Sequence, residues 1–234
     1  KIKSSKGKYM KNLINFAFHK KMIGLLFNKK NSLDYIPKNS PKEILGFGLK
    51  MFSYAFVLYL MMYLFIFLCG YSYFSNLNDG LRLNFQEKNY SEFSLFLNSY
   101  PWNVLYVLAS FIIMIVYVST FSYLTAIMLE EERQNFKAHL GLCLHATSSI
   151  IMCLLMIYLA NTIFPFNDRV SVVLFSILVS VWIIAFIVSV FLSTKVFVFG
   201  AKQYFGQTKK RAAITWLVPY LSFVYLVFGI LTGI

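Results

Sequence analysis

Few side chains in this 234-residue chain could do chemistry, and their spacing argues against most of it. Cysteines aside, His145 is the only residue of the usual acid–base or metal-ligating kind well inside an apolar run. An imidazole can relay protons or bind a metal, but either task needs a second group. His139 lies six positions away, which puts it on another face of a helix and off ligand spacing. His145 therefore reads as a hydrogen-bonded contact between membrane helices, as do Asn161 and the Ser148–Ser149 pair. Glu130, Glu131 and Glu132, followed by Arg133, could draw a divalent cation. Consecutive helical positions point in three directions, so these carboxylates do not converge and read as a solvated helix end. Cys69, Cys143 and Cys153 all sit in apolar runs and read as small buried hydrophobes. There is no Ser-His-Asp set, HExxH, phosphate-cradling glycine loop or dinucleotide fingerprint. The expectation is a protein that is not an enzyme, with no catalytic residue, no metal site and no cofactor.

The elements that would hold these residues are membrane helices. Hydrophobic residues make up 59% of the chain and charged residues 13%. That is about half the charge of a soluble domain, so the surplus apolar surface must face something other than water. About 20 mostly apolar residues are needed to cross the hydrocarbon. Uncharged runs of that length predict an all-α, polytopic bundle of five spans over residues 51–74, 103–129, 140–164, 170–194 and 212–234. The 140–164 run is a weaker one, because His145, Ser148, Ser149 and Asn161 interrupt it. Only Pro165–Arg169 separates the third and fourth spans, which predicts a tight antiparallel hairpin. No span carries Asp, Glu, Lys or Arg in its middle, whereas ion pathways, proton relays and voltage sensors place ionisable groups at depth.

Basic residues set the orientation. Nineteen of the 22 Lys and Arg fall in residues 1–50, 130–139 and 195–211, against three in the intervening loops. An N-in, C-out topology follows. The net charge of +13 thus belongs to cytoplasmic flanks facing anionic headgroups, and no nucleic-acid-binding module is present. Residues 1–43 form a basic arm ahead of the five-span domain, 44–234. Within the arm, Tyr9–Lys30 is too charged to span yet rich in apolar bulk, and is expected to lie as an interfacial amphipathic helix with its lysines snorkelling. Lys20, Lys21, Lys29 and Lys30, with Lys209, Lys210 and Arg211 at the other basic segment, are the expected headgroup contacts. The arm is not expected to be a secretory signal, since Lys11, Lys20 and Lys21 break its apolar stretch. The outer loop Ser75–Tyr100 is expected to fold back on the membrane through Phe85, Phe93, Leu95 and Phe96, and Asn89-Tyr90-Ser91 within it is a chance sequon. The fourth helix is expected to run on toward Tyr204 and turn at Gly206.

Three segments carry a family resemblance. LLFNKKNSLDYIPKNS (Leu25–Ser40), NFKAHLGLCLHATSSI (Asn135–Ile150) and FGQTKKRAAITWLVP (Phe205–Pro219) look like the pre-membrane segment, the third-span start and the last cytoplasmic turn of bacterial Yip-domain membrane proteins. Asn28-Lys29-Lys30 departs from that pattern, where a Pro is common, as does the long first outer loop. The resemblance implies a five-span protein of membrane organisation, trafficking or complex assembly, and it carries over no catalytic residue. The functional expectation is an accessory or scaffold subunit of a larger membrane complex, its partners being lipids and other membrane subunits. The alternative is a transporter or lipid-handling protein with an apolar cavity near His145 and Asn161. The bacterial cytoplasmic membrane is the expected location, with an organelle membrane as the other choice.

Overall fold

A computed structural model describes residues 40–88, 91–129, 135–163 and 172–232. Residues 1–39 of the arm, with Tyr9–Lys30, the Glu130–Arg133 run, Asn89 and Tyr90 of the sequon and the Pro165–Arg169 hairpin turn lie outside the described residues. Among the described residues every regular element is a helix: α1 Pro41–Cys69, α2 Tyr71–Glu87, α3 Glu92–Asn98, α4 Asn103–Met128, α5 Phe136–Ile163, α6 Val172–Phe205 and α7 Lys209–Thr232. Within them, four stretches are long and apolar enough to cross a membrane: Pro41–Cys69, Asn103–Met128, Phe136–Ala160 and Phe175–Phe205. The chain is thus a multi-pass helical membrane protein by length and composition. The predicted fifth span is also helical, as α7, with Pro219 inside it, but its described part is not among those four.

The first span starts and ends earlier than its uncharged run. Pro41 occupies the first turn of α1, where its missing N–H costs nothing. Glu43 there meets the positive end of the helix dipole. The helix then stops at Cys69, not Phe74, because the chain turns at Gly70. A side chain at Gly70 would come within 3.0 Å of the Phe74 ring, which folds back beneath the turn. Phe74 is buried there between Phe67 and Tyr100. The expected outer loop is therefore mostly helical. Ser91 caps α3 by accepting from the Ser94 amide at 3.2 Å. Asn78 of α2 clamps the start of α4 by donating to the Tyr100 carbonyl and accepting from the Tyr100 amide, both at 2.8 Å. The Tyr100–Pro101 peptide is cis.

The span interrupted by His145, Ser148 and Ser149 is the centre of the bundle. α5 packs against α1, α6 and α4, and α7 closes against α4 and α6. The α5 stretch is 67% buried, against 11% for the most apolar stretch, in α6. Polar residues that lowered the hydropathy of α5 are thus the ones protected from lipid. The α1–α5 crossing brings two glycines into backbone contact, and a side chain on Gly48 would lie 2.1 Å from the Gly141 carbonyl oxygen. Small residues let membrane helices approach this closely. At its far end α6 runs through Tyr204 to Phe205, and Gly206 turns the chain with φ +73°. That left-handed backbone favours glycine, so the predicted stop at Gly206 is observed. Of the cysteines, Cys143 and Cys153 are buried as expected, whereas Cys69 is exposed at the end of α1.

Candidate functional site

The histidine singled out by sequence and the one it set aside are both buried, and each meets a different neighbour. Six residues along a helix rotate a side chain by about 120° net. Because α5 is surrounded, both faces are covered. His145 is 1% exposed and sits edge-on to Phe47 of α1, with ring centroids 5.1 Å apart. His139 is 0% exposed and reaches the other way, stacking on Phe205 of α6 at 4.2 Å. Its Nδ1 lies 3.2 Å from Ser122 Oγ of α4. His139 thus ties three helices together at the end of the bundle where α4 and α6 stop and α5 begins.

The Ser122–His139 pair has the residue types of a nucleophile and its base. Its surroundings give it another task. Both side chains are fully buried, Ser122 and His139 each at 0% exposure. Among the described residues, no three His, Cys, Asp or Glu side chains gather where a metal could be held. What the arrangement does is satisfy one buried hydroxyl and one ring nitrogen across a helix interface, the use polar groups commonly have between membrane helices. His139 Nε2, Trp216 Nε1 and both amide atoms of Gln207 have no hydrogen-bond partner among the described residues at this same end.

His145 and Asn161 are not brought together. Sixteen residues on one helix separate them by about 24 Å, and the Asn161 side chain lies outside the described residues. The apolar hollow that the structure does contain is elsewhere, between α5 and α6. It measures about 230 Å³ and is lined by Cys153, Met156, Val181, Ile184, Ala185 and Val188.

Of the expected headgroup contacts, Lys20, Lys21, Lys29 and Lys30 lie outside the described residues. Lys209, Lys210 and Arg211 are exposed on the first turn of α7, just past the Gly206 turn. Three cations beside the positive end of a helix dipole repel it. An anionic surface relieves that repulsion, and lipid phosphates would supply one.

The aromatic cluster at the opposite end of the bundle escaped sequence reading. Tyr63 of α1 donates to the Asn103 side-chain oxygen of α4. Its ring lies 4.9 Å from Tyr158 of α5 and 6.2 Å from Tyr100. Tyr59 joins one turn below Tyr63 at 6.0 Å. Burial pushes the Tyr100 phenol above its ordinary value. The available signal was the spacing of Tyr59 and Tyr63, four apart and so on one helix face. The two clusters also show the helices alternating in direction. The end of α1, the start of α4 and the end of α5 meet at one, and the end of α4, the start of α5 and the end of α6 at the other. Compared with protein-family models, curated proteins and solved structures, the chain matches none of them.

Proposed function

We propose that this chain is a non-enzymatic, five-span, N-in/C-out integral membrane protein that serves as an accessory or scaffold subunit of a larger membrane complex. The observation that supports it most is the use of the polar side chains along α5. His139, His145, Thr147, Ser148 and Ser149 are each at most 1% exposed. They are packed into helix contacts rather than set along an open path. The outward faces are apolar instead: Ile183, Ile184, Ile187 and Phe191 of α6 are all exposed, as suits a flank against lipid or another membrane helix. The resemblance to Yip-domain proteins points the same way. The bacterial cytoplasmic membrane is the proposed location, and Lys209, Lys210 and Arg211 would rest among anionic headgroups on its inner side.

Gentle detergent extraction followed by mass spectrometry tests the scaffold role. Other membrane subunits are expected to co-purify in fixed ratio, and a lone monomer from every mild extraction overturns the reading. A topology reporter fused after Ile234 is expected to read on the outer side. A cytoplasmic signal there removes the five-span arrangement.

The hollow between α5 and α6 supports a second reading, a lipid-handling protein. Its lining is almost wholly apolar and it lies beside the exposed flank of α6, where an acyl chain could lie. Ala185→Phe would fill it. On this reading the substitution lowers the amount of lipid retained after purification, while on the scaffold reading retention is unchanged.

A further inference from the structure

At the tyrosine end of the bundle, α2 and α3 flank an open cavity of about 510 Å³. It falls within the roughly 300–1,000 Å³ range of small-molecule sites. It is not a gap left by loose packing. Of its lining residues, Asn78 is fixed by the paired hydrogen bonds to Tyr100 and Phe96 by stacking on Trp102 at 5.0 Å, and the Ser91 cap starts the helix that carries Glu92, Leu95 and Phe96.

The lining divides into two kinds. Asp79, Glu92 and Arg82 supply two negative charges and one positive, all on exposed side chains, while Phe85, Leu95 and Phe96 supply an apolar wall. None of the three charged groups is ion-paired to another described residue. A ligand that matches this lining carries a hydrogen-bonding cation, an anion close by, and an apolar body. The carboxylates favour an ammonium with N–H donors, because charge-assisted hydrogen bonds are the strong ones. The guanidinium favours a phosphate.

The site's position supplies the rest. α2 and α3 connect two membrane-crossing helices, so the cavity stands at the membrane surface. Leu83, Phe93 and Trp102 are exposed beside it, the residue types that settle at an interface.

We propose that this cavity binds the headgroup of a phosphoethanolamine lipid. The ammonium lies between Asp79 and Glu92, the phosphate meets Arg82, and the first acyl carbons run along Phe85 and Leu95. This rests on the membrane reading and not on the scaffold role.

Native mass spectrometry of the full chain in detergent, with palmitoyl-oleoyl lipids added one at a time, tests it. The phosphoethanolamine lipid is expected to be retained about tenfold over the phosphoglycerol lipid, the discrimination one charge-assisted hydrogen bond can supply. It should also exceed the phosphocholine lipid, whose quaternary ammonium has no N–H to give. Asp79→Asn with Glu92→Gln should abolish that preference. Arg82→Gln should weaken all three lipids together, and it decides the matter if the double variant does not fold. Soluble glycerophosphoethanolamine should fail to compete at equal concentration, since it lacks the acyl carbons. Equal retention of the three lipids, an unchanged preference in the double variant, or full competition by the soluble headgroup each overturns the proposal. A lone monomer that keeps the preference would remove the scaffold role and leave this site standing. Co-purifying subunits with no lipid preference would do the reverse.

Discussion

Gly48→Ala and Gly141→Ala are each expected to lower the unfolding temperature of the purified protein, while Gly46→Ala leaves it unchanged or raises it slightly. All three replace a helical glycine with the best helix former, which by itself gains up to about 1 kcal/mol. Their surroundings separate them. A side chain at Gly46 meets nothing within 4 Å. One at Gly48 would lie 2.1 Å from the Gly141 carbonyl oxygen, and one at Gly141 would lie 2.6 Å from the Ile44 carbonyl oxygen. The atoms in the way belong to backbone, so no rotamer change can clear them, and α1 must move off α5. Overpacking of this kind costs about 1–3 kcal/mol. With backbone atoms in the way the cost falls toward the upper end of that range, so that about 2 kcal/mol is left after the propensity gain is subtracted, roughly 4–8 °C for a chain of this size. Gly48→Leu should separate the helices further and leave little monodisperse protein after mild heating. Thermal unfolding by circular dichroism or by light scattering in one detergent reads all four variants. Equal midpoints for Gly46→Ala and Gly48→Ala would show that the α1–α5 crossing is not held by backbone contact.

The glycines also mark how far sequence alone reaches. Gly46 and Gly48 lie two apart in one helix, and nothing in their neighbours tells which one faces a partner. That requires the partner's position, and helix crossings are set by packing between distant segments. Membrane embedding was legible, because the composition holds too few charged residues to cover the apolar surface toward water. The Gly206 turn was legible too, since a glycine ahead of a polar, basic stretch is a local signal. The centre of the bundle was not. Ser148, Ser149 and His145 lower the hydropathy of the third span, which makes it look marginal when each span is weighed singly. In the assembled bundle those residues are what a central helix can carry and a lipid-facing one cannot. His139 was set aside for a related reason. Its distance from His145 is a fact about one helix, whereas its contacts with Ser122 and Phe205 come from two others. The break at Gly70 was missed because residues 70–74 carry no charge, so the uncharged run continues through them. Only the fold-back of Phe74 onto Tyr100 shows that the helix has ended.

Trp216→Ala is expected to be the most damaging single truncation in the bundle, and Trp216→Phe is expected to recover most of the loss. Trp216 is 0% exposed and lies between Phe197 of α6, with ring centroids 5.2 Å apart and planes 23° apart, and Tyr220 of α7, at 5.6 Å and 11°. Phe197 in turn lies 6.4 Å from the His139 ring, so the indole joins α7 to the same contact that ties α4, α5 and α6. Truncation to Ala empties the space that holds α7 against α6. Replacing a buried Trp with Ala costs about 3–5 kcal/mol where the site cannot collapse. Two further aromatic rings face this gap, and both would lose their stacking partner. Trp216→Phe keeps a ring between them and removes the indole N–H, which has no partner among the described residues. Burying such a donor costs about 1–3 kcal/mol, so its removal offsets part of the lost volume. The two variants therefore separate shape from polarity. If packing of the ring holds α7 in place, the midpoint of Trp216→Phe stays near that of the parent and that of Trp216→Ala falls well below it. If the Nε1 hydrogen instead makes an interaction that matters, through an ordered water or another subunit, Trp216→Phe falls nearly as far as Trp216→Ala. In that case the buried amide of Gln207, two residues past the Phe205 ring that stacks on His139, is the group to change next. Loss of stability in Gln207→Leu would then mark this end of the bundle as a hydrated contact rather than a dry one.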